Sequence, residues 1–461
     1  MSETRTEKDF LGEVRVTAQA YYGGQTQRAV ENFAISGLRA PAVFNRACAE
    51  IKKAAALVHK ELGALRPGVA DAIAQASDEV IQGQFADQFV VDVFQAGAGT
   101  SHHMNVNEVL ANRASELLGG QRGEYTLVHP NDHVNMGQST NDVYPTAMRL
   151  AALFTLPQLL TELRGLAAAF EARAQAFAGI GKSGRTHLQD AAFVTLGQEF
   201  SAYAAAVTRA ADHVEEQTKP LRELGLGGTA TGTGINTQPG YRQRVVARLA
   251  QQTALSLSPS ENLFEAMQSM SPFVRVSAAL RTGAIELGRI CNDLRLLSSG
   301  PTAGLDEIRL PPVQPGSSIM PGKVNPVVPE CMNMICFQVI GNDGCIAQAA
   351  AAGQLELNVM MPVIAYNLLW SIEILTNGVR MLRTRCVEGI QANRERCAAY
   401  LASTLGLATV LNPIIGYHKA AEVAREAEAT GESIRDVVLQ KGILSEEALD
   451  KLIAQSLGEK E

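Results

Sequence analysis

From Phe273 onward, Val276, Leu280, Ala284, Leu287, Cys291 and Leu294 recur at spacings of three and four. Such spacing marks one face of a single long helix. A second run carries Leu156, Leu159, Leu160, Leu163, Leu166, Ala167 and Phe170, and comparable stretches cover 190–220, 327–352 and 355–385. A helix of about 30 residues is about 45 Å long, more than a lone compact domain needs. Alanine is abundant and aromatics are only 5% of the chain. The expected fold is mainly α, a central bundle of long helices completed by other subunits.

The flanks have a different texture. Residues 1–139 mix shorter helices with Gly/His/Asn-rich loops, broken at Pro41, Pro67 and Pro130. The long-helix segment runs over 140–396, and 397–461 reads as a small helical part. There, Thr430-Gly-Glu-Ser-Ile-Arg-Asp looks like a loop feeding a helix, and Ser445 like the N-cap of another.

A net charge of −7 and a pI near 5.7, without a basic stripe, argue against nucleic acid or a membrane surface as partner. No stretch approaches the ~18 apolar residues of a membrane span, and the N-terminus lacks a signal-like apolar run. The seven cysteines include no Cys-x-x-Cys pair and mostly sit in apolar helical surroundings, which suits a reducing cytoplasm.

Chemistry concentrates in four polar segments: 97–108, 129–142, 183–190 and 316–326. The last reads Gly-Ser-Ser-Ile-Met-Pro-Gly-Lys-Val-Asn-Pro. Gly316 and Gly322 allow close backbone approach, Lys323 supplies a charge and Asn325 a donor, so the loop suits a carboxylate or oxyanion. It is not a phosphate loop. Five residues rather than four separate Gly316 from Gly322-Lys323, Val324 follows, and the preceding segment is broken by prolines. The Gly-rich run at 225–234 mimics a dinucleotide fingerprint, but a polar, helix-like stretch precedes it instead of a strand.

The histidines need weighing. His129 and His133 have a helical metal-ligand spacing, yet Pro130 and the Asn-Asp between them favour a turn, and no carboxylate completes a motif. Neighbouring His102 and His103 point apart in regular structure. His187 follows Thr186 in a polar loop that leads to a helix.

Together the four segments resemble the aspartase/fumarase superfamily of lyases, from about residue 10 to residue 455. The superfamily's motif Gly-Ser-Ser-x-x-Pro-x-Lys-x-Asn-Pro stands complete at 316–326. The resemblance implies a homotetramer whose central helices form one bundle, with active sites each built from three chains. It implies anti elimination from a small dicarboxylate to give fumarate. No nucleotide, flavin or redox cofactor is expected, and the residues suggest no metal site. Ser317 is then the general base, and Lys323 and Asn325 hold the carboxylate that gathers charge. Ser318 and Met320 border that site. Thr100, Ser139, Thr140, Asn141, Thr186 and His187 bind the other carboxylate and surround the leaving group, and Glu330 is the carboxylate that pairs with the histidine. Gly316 and Gly322 are the expected hinges of a loop that closes over substrate.

The leaving group is a separate question. Thr140, Ala98, the run Cys291-Asn-Asp-Leu-Arg-Leu-Leu-Ser-Ser-Gly-Pro, and Asn325-Pro-Val-Val-Pro-Glu resemble the ammonia-releasing members more than class II fumarases. Release of water from malate, and another amino-acid substrate, are the alternatives. His103, Thr302 and Met361 depart from the superfamily pattern.

Overall fold

A computed structural model describes residues 3–457. The helices are α1 (Gly24–Asn32), α2 (Ala42–Glu61), α3 (Pro67–Ile81), α4 (Thr100–Leu117), α5 (Thr140–Ala176), α6 (Leu196–Thr218), α7 (Tyr241–Thr253) and α8 (Leu263–Gln268). They continue as α9 (Ser271–Leu297), α10 (Val327–Ala351), α11 (Met361–Arg385), α12 (Arg394–Ser403), α13 (Leu407–Ile415), α14 (Tyr417–Thr430), α15 (Ile434–Gln440) and α16 (Glu446–Ser456). Two antiparallel hairpins pack on these helices: β1 (Thr4–Asp9) with β2 (Gly12–Thr17), against α1, and β3 (Gly181–Thr186) with β4 (Gln189–Thr195), against α12 and α13. The fold is mainly α, as the periodicity predicts, and α5 with 37 residues spans roughly 55 Å.

The chain divides into two compact units, one of residues 1–160, 212–282 and 337–375, the other of 161–211, 283–336 and 376–461. In the first, α2 packs on α3 and α7, and α4 on α1 and α3. Its core includes Phe44, Ile51, Val58, Ile73, Leu110 and Tyr241. In the second, Leu411, Val423, Ile434, Val437, Val438 and Leu449 form a core of short helices, against which β4 sets Phe193. Ser433 and Ser445 cap α15 and α16, accepting from Asp436 N and Ala448 N.

Two sequence expectations need correction. The helix expected over 190–220 begins at Leu196, because residues 189–195 pair with 181–186 as a hairpin. His187 and Leu188 form its two-residue turn, both at positive φ (54° and 59°), as a primed turn requires. The helix expected over 355–385 starts at Met361, with Pro362 in its first turn where no N–H is missed.

Candidate active site

Two helix N-termini carry the polar residues of the first unit. Ahead of α4, Ala98 and Gly99 take left-handed φ values of 61° and 87°, and a Cβ on Gly99 would run into the Tyr144 ring at 2.1 Å. The chain therefore enters α4 tightly, placing Thr100 exposed in its first turn. Ser139 caps α5: its Oγ accepts from Asn141 N (3.2 Å), and Asp142 Oδ1 accepts from Ser139 N (2.9 Å). Free N–H groups and the helix dipole make such ends suited to a carboxylate. Asn141 Nδ2 donates to Ala230 O at 2.8 Å. Asn135, Gln138 and Ser139, with Thr229 and Asn236, line a cavity of about 360 Å³.

The glycine run at 225–234 binds a carboxylate of its own chain. Gly227 N and Thr229 N both donate to Asp142 Oδ2 at 3.0 Å. Burial pushes the Asp142 carboxyl up to about 6 against the pull of these donors. The resemblance to a nucleotide loop is thus structural in origin. It folds the chain around the start of α5.

Among the described residues, His102, His103, His129 and His133 each have a hydrogen-bond partner, and none is found for His187. His129 Nδ1 accepts from Asn131 N and Asp132 N, so the residue caps the π-turn at Pro130–Val134. His102 Nε2 contacts Asn45 Oδ1 at 2.8 Å and His103 Nδ1 contacts Thr140 Oγ1 at 2.7 Å, pointing apart as expected. Burial holds both rings below the ordinary histidine range, His102 down to about 4.

In the second unit the hairpin tip leaves Thr186 and His187 exposed. The hairpin's base is fixed by buried charge. Lys182, almost fully buried, pairs with Glu199 (2.9 Å) and Glu307 (2.7 Å), and Arg185 pairs with the same Glu307 at 2.9 Å. Such a network anchors the strands while the tip stays free. Among the described residues no ion pair joins His187 to Glu330, which lies in the first turn of α10.

Residues 316–326 close on themselves. Gly316 N donates to Lys323 O (2.9 Å) and Asn325 Nδ2 donates to Gly316 O (2.6 Å), forming a neck. A Cβ on Gly316 would lie 2.4 Å from Lys323 O and 2.7 Å from Asn325 N. Gly316 is therefore required for a close backbone approach, whereas Gly322 has a left-handed φ of 83° and open space around it. Ser317 Oγ accepts from Ile319 N at 3.2 Å and Met320 N at 3.0 Å. Two donors aimed at one hydroxyl oxygen favour its anion. Ser318, Met320 and Lys323 are exposed, and no carboxylate among the described residues pairs with Lys323. One Nδ2 hydrogen of Asn325 remains for a ligand.

Sequence reasoning missed Lys52, Asn135, Gln138 and Asp142. Lys52 carried a legible signal: with Cys48, Ala55 and His59 it follows the three-four spacing of the buried face of α2.

A long-helix bundle bearing a serine–lysine–asparagine loop defines a lyase class, and comparison with known proteins agrees. The chain belongs to the aspartase/fumarase family: residues 12–341 match the family model described as lyase, and 407–455 the one described as fumarase C C-terminus. It is 49% identical over 451 residues to the aspartate ammonia-lyase of Bacillus subtilis, covering 98% of this chain and 95% of that one. The Helicobacter pylori aspartate ammonia-lyase is 50% identical over 450 residues, covering 97% and 96%. Among solved structures, a cobalt-bound "fumarate lyase:delta crystallin" from Brucella melitensis superposes with a TM-score of 0.95 at 50% identity, covering 99% of each chain. A class II fumarase from Schistosoma mansoni has a TM-score of 0.95 at 38% identity, covering 99% and 100%.

Proposed function

We infer that this protein is an aspartate ammonia-lyase, catalysing reversible anti elimination of ammonia from L-aspartate to give fumarate. Near-50% identity to enzymes of that name supports the substrate. The loop supports the chemistry, and its carrying observation is the pair of N–H donors on Ser317 Oγ.

Taking a proton from the carbon beside a carboxylate creates a dianionic aci-carboxylate, so donors must wait where that charge develops. Ser317 takes the Cβ proton, its alkoxide supported by the N–H groups of Ile319 and Met320. Lys323 and the remaining Asn325 hydrogen hold the carboxylate that becomes doubly charged. Ser318 and Met320 border it. Thr100, Ser139, Thr140 and Asn141, at two helix N-termini, receive the second carboxylate. Thr186 and His187 surround the departing ammonia, with Glu330 as the histidine's partner. Elimination then expels ammonia and returns a planar dicarboxylate.

The same reading places each site among three chains of a homotetramer. The exposed hairpin tip and an uncovered face on α10, with Met334 and Phe337 62% and 64% exposed, support further subunits. Seven free cysteines suit the cytoplasm. No single helix among the described residues is long and apolar enough to cross a membrane. A purely structural role is disfavoured by the joint presence of Ser317, Lys323, Asn325 and His187.

Fumarate absorbance, followed with L-aspartate and L-malate in parallel, tests the substrate. Turnover of aspartate with little of malate is expected; turnover of malate alone would identify a hydratase.

A further inference from the structure

A buried lysine stands behind the hydroxyl of Thr140. Lys52 is 0% exposed, and its Nζ meets three acceptors: His103 Nε2 (2.7 Å), Asn135 Oδ1 (3.0 Å) and Gln138 Oε1 (2.9 Å). His103 is itself buried, and its other ring nitrogen lies 2.7 Å from Thr140 Oγ1. No step of the elimination uses Lys52 or His103.

Hydrogen counting fixes the direction of this chain of contacts. An ammonium has three hydrogens and no lone pair, so three acceptors at bonding distance use each hydrogen once. His103 Nε2 must then accept, which leaves the ring hydrogen on Nδ1. Nδ1–H donates to Thr140 Oγ1, and the threonine's own hydrogen is directed elsewhere. Thr140 is thereby held as a donor. A neutral amine would allow the reverse order, in which Thr140 spends its hydrogen on His103. The titratable groups around Lys52 are Cys48 on its own helix, His102 and His103 on α4, and Asp142 on α5. Burial pulls the Lys52 ammonium down to about 7, and Cys48 and Asp142 oppose that pull, as do the two amide oxygens that accept from it.

We propose that Lys52, acting through His103, is a positioning residue that fixes Thr140 as a hydrogen-bond donor toward a substrate carboxylate. The proposal rests on the reading that Thr140 touches that carboxylate. It adds a basis for selectivity: a hydroxyl whose hydrogen is fixed toward the ligand donates to a carboxylate oxygen, and an amide N–H offers that hydrogen no acceptor.

Steady-state kinetics with L-aspartate on the full-length enzyme test it, using Thr140→Val, His103→Leu, His103→Asn, Lys52→Met and their pairs. His103→Leu should raise KM about tenfold, the scale of one hydrogen bond to a charged group, with a smaller change in kcat. His103→Asn should hold KM within about threefold, because an amide Nδ2 offers a donor at the place of Nδ1. Lys52→Met should raise KM in the parent enzyme and much less in the His103→Asn background. In the Thr140→Val background His103→Leu should add little. If Thr140→Val raises KM while His103→Leu does not, or the two effects multiply in the pair, the relay is wrong. If Thr140→Val leaves KM unchanged, the underlying placement of Thr140 is wrong instead. Should Lys52→Met fail to assemble, the His103 and Thr140 variants still decide.

Discussion

Replacing Gly316 by alanine tests whether the neck of the 316–326 loop matters to turnover. The new Cβ would stand 2.4 Å from Lys323 O and 2.7 Å from Asn325 N, both backbone atoms that cannot rotate away. Relief requires opening the neck, which breaks Gly316 N–Lys323 O and Asn325 Nδ2–Gly316 O. At about 0.5–1.5 kcal/mol for each bond, the closed loop loses about 1–3 kcal/mol. If only the closed loop holds Ser317 and Asn325 in place, kcat falls roughly five- to 150-fold. Gly322→Ala is the control. It meets open space and costs only the left-handed backbone penalty, on the order of 1 kcal/mol. Fumarate production at saturating L-aspartate should therefore rank parent, Gly322→Ala, Gly316→Ala. Thermal unfolding should hardly move, since the loop lies outside the buried core. A Gly316→Ala enzyme with kcat within about twofold of the parent would refute the reasoning.

Two other substitutions probe the site and its surroundings. Ser317→Ala removes the oxygen assigned to proton abstraction, so turnover should fall by several orders of magnitude on the scale of a lost catalytic base. Size-exclusion chromatography should show the same assembly, and near-normal turnover would remove Ser317 from that role. His102 concerns pH: it is buried, its Nδ1 has no partner, and burial holds it at about 4 against an ordinary 6.5. The folded protein refuses a proton that the unfolded chain takes, so stability is complete above 6.5 and declines toward 4. By about pH 5 the loss is on the order of 2 kcal/mol. Guanidinium unfolding of His102→Phe should show a shallower decline between pH 7 and 5; an unchanged slope would mean the ring is charged in the fold.

What could be read from the sequence follows the range of the forces involved. Helix faces are local, so the Phe273–Leu294 face and the Ser445 cap were visible and are present. The 183–190 hairpin was not, because its turn uses His187 and Leu188 at positive φ without glycine or asparagine to mark it. Its strands are held by Lys182, Arg185 and the distant Glu307, which no window of sequence brings together.

The loop and the lysine show opposite limits of the same kind. Ser317, Lys323 and Asn325 lie within nine positions, and their joint chemistry needs no knowledge of the fold. Lys52, His103, Asn135, Gln138 and Thr140 come from three elements and the turn between two of them. Each alone has an ordinary explanation: a helix-face lysine, a core histidine, turn amides, a capped helix start. Only the packing of α2 and α4 on the turn that precedes α5 makes them one hydrogen-bonded line. Burial then makes the line consequential, because a cation cut off from water must satisfy each hydrogen with protein atoms. That obligation gives the chain from Lys52 through His103 to Thr140 a direction. Apolar periodicity alone would have assigned Lys52's position to a core residue.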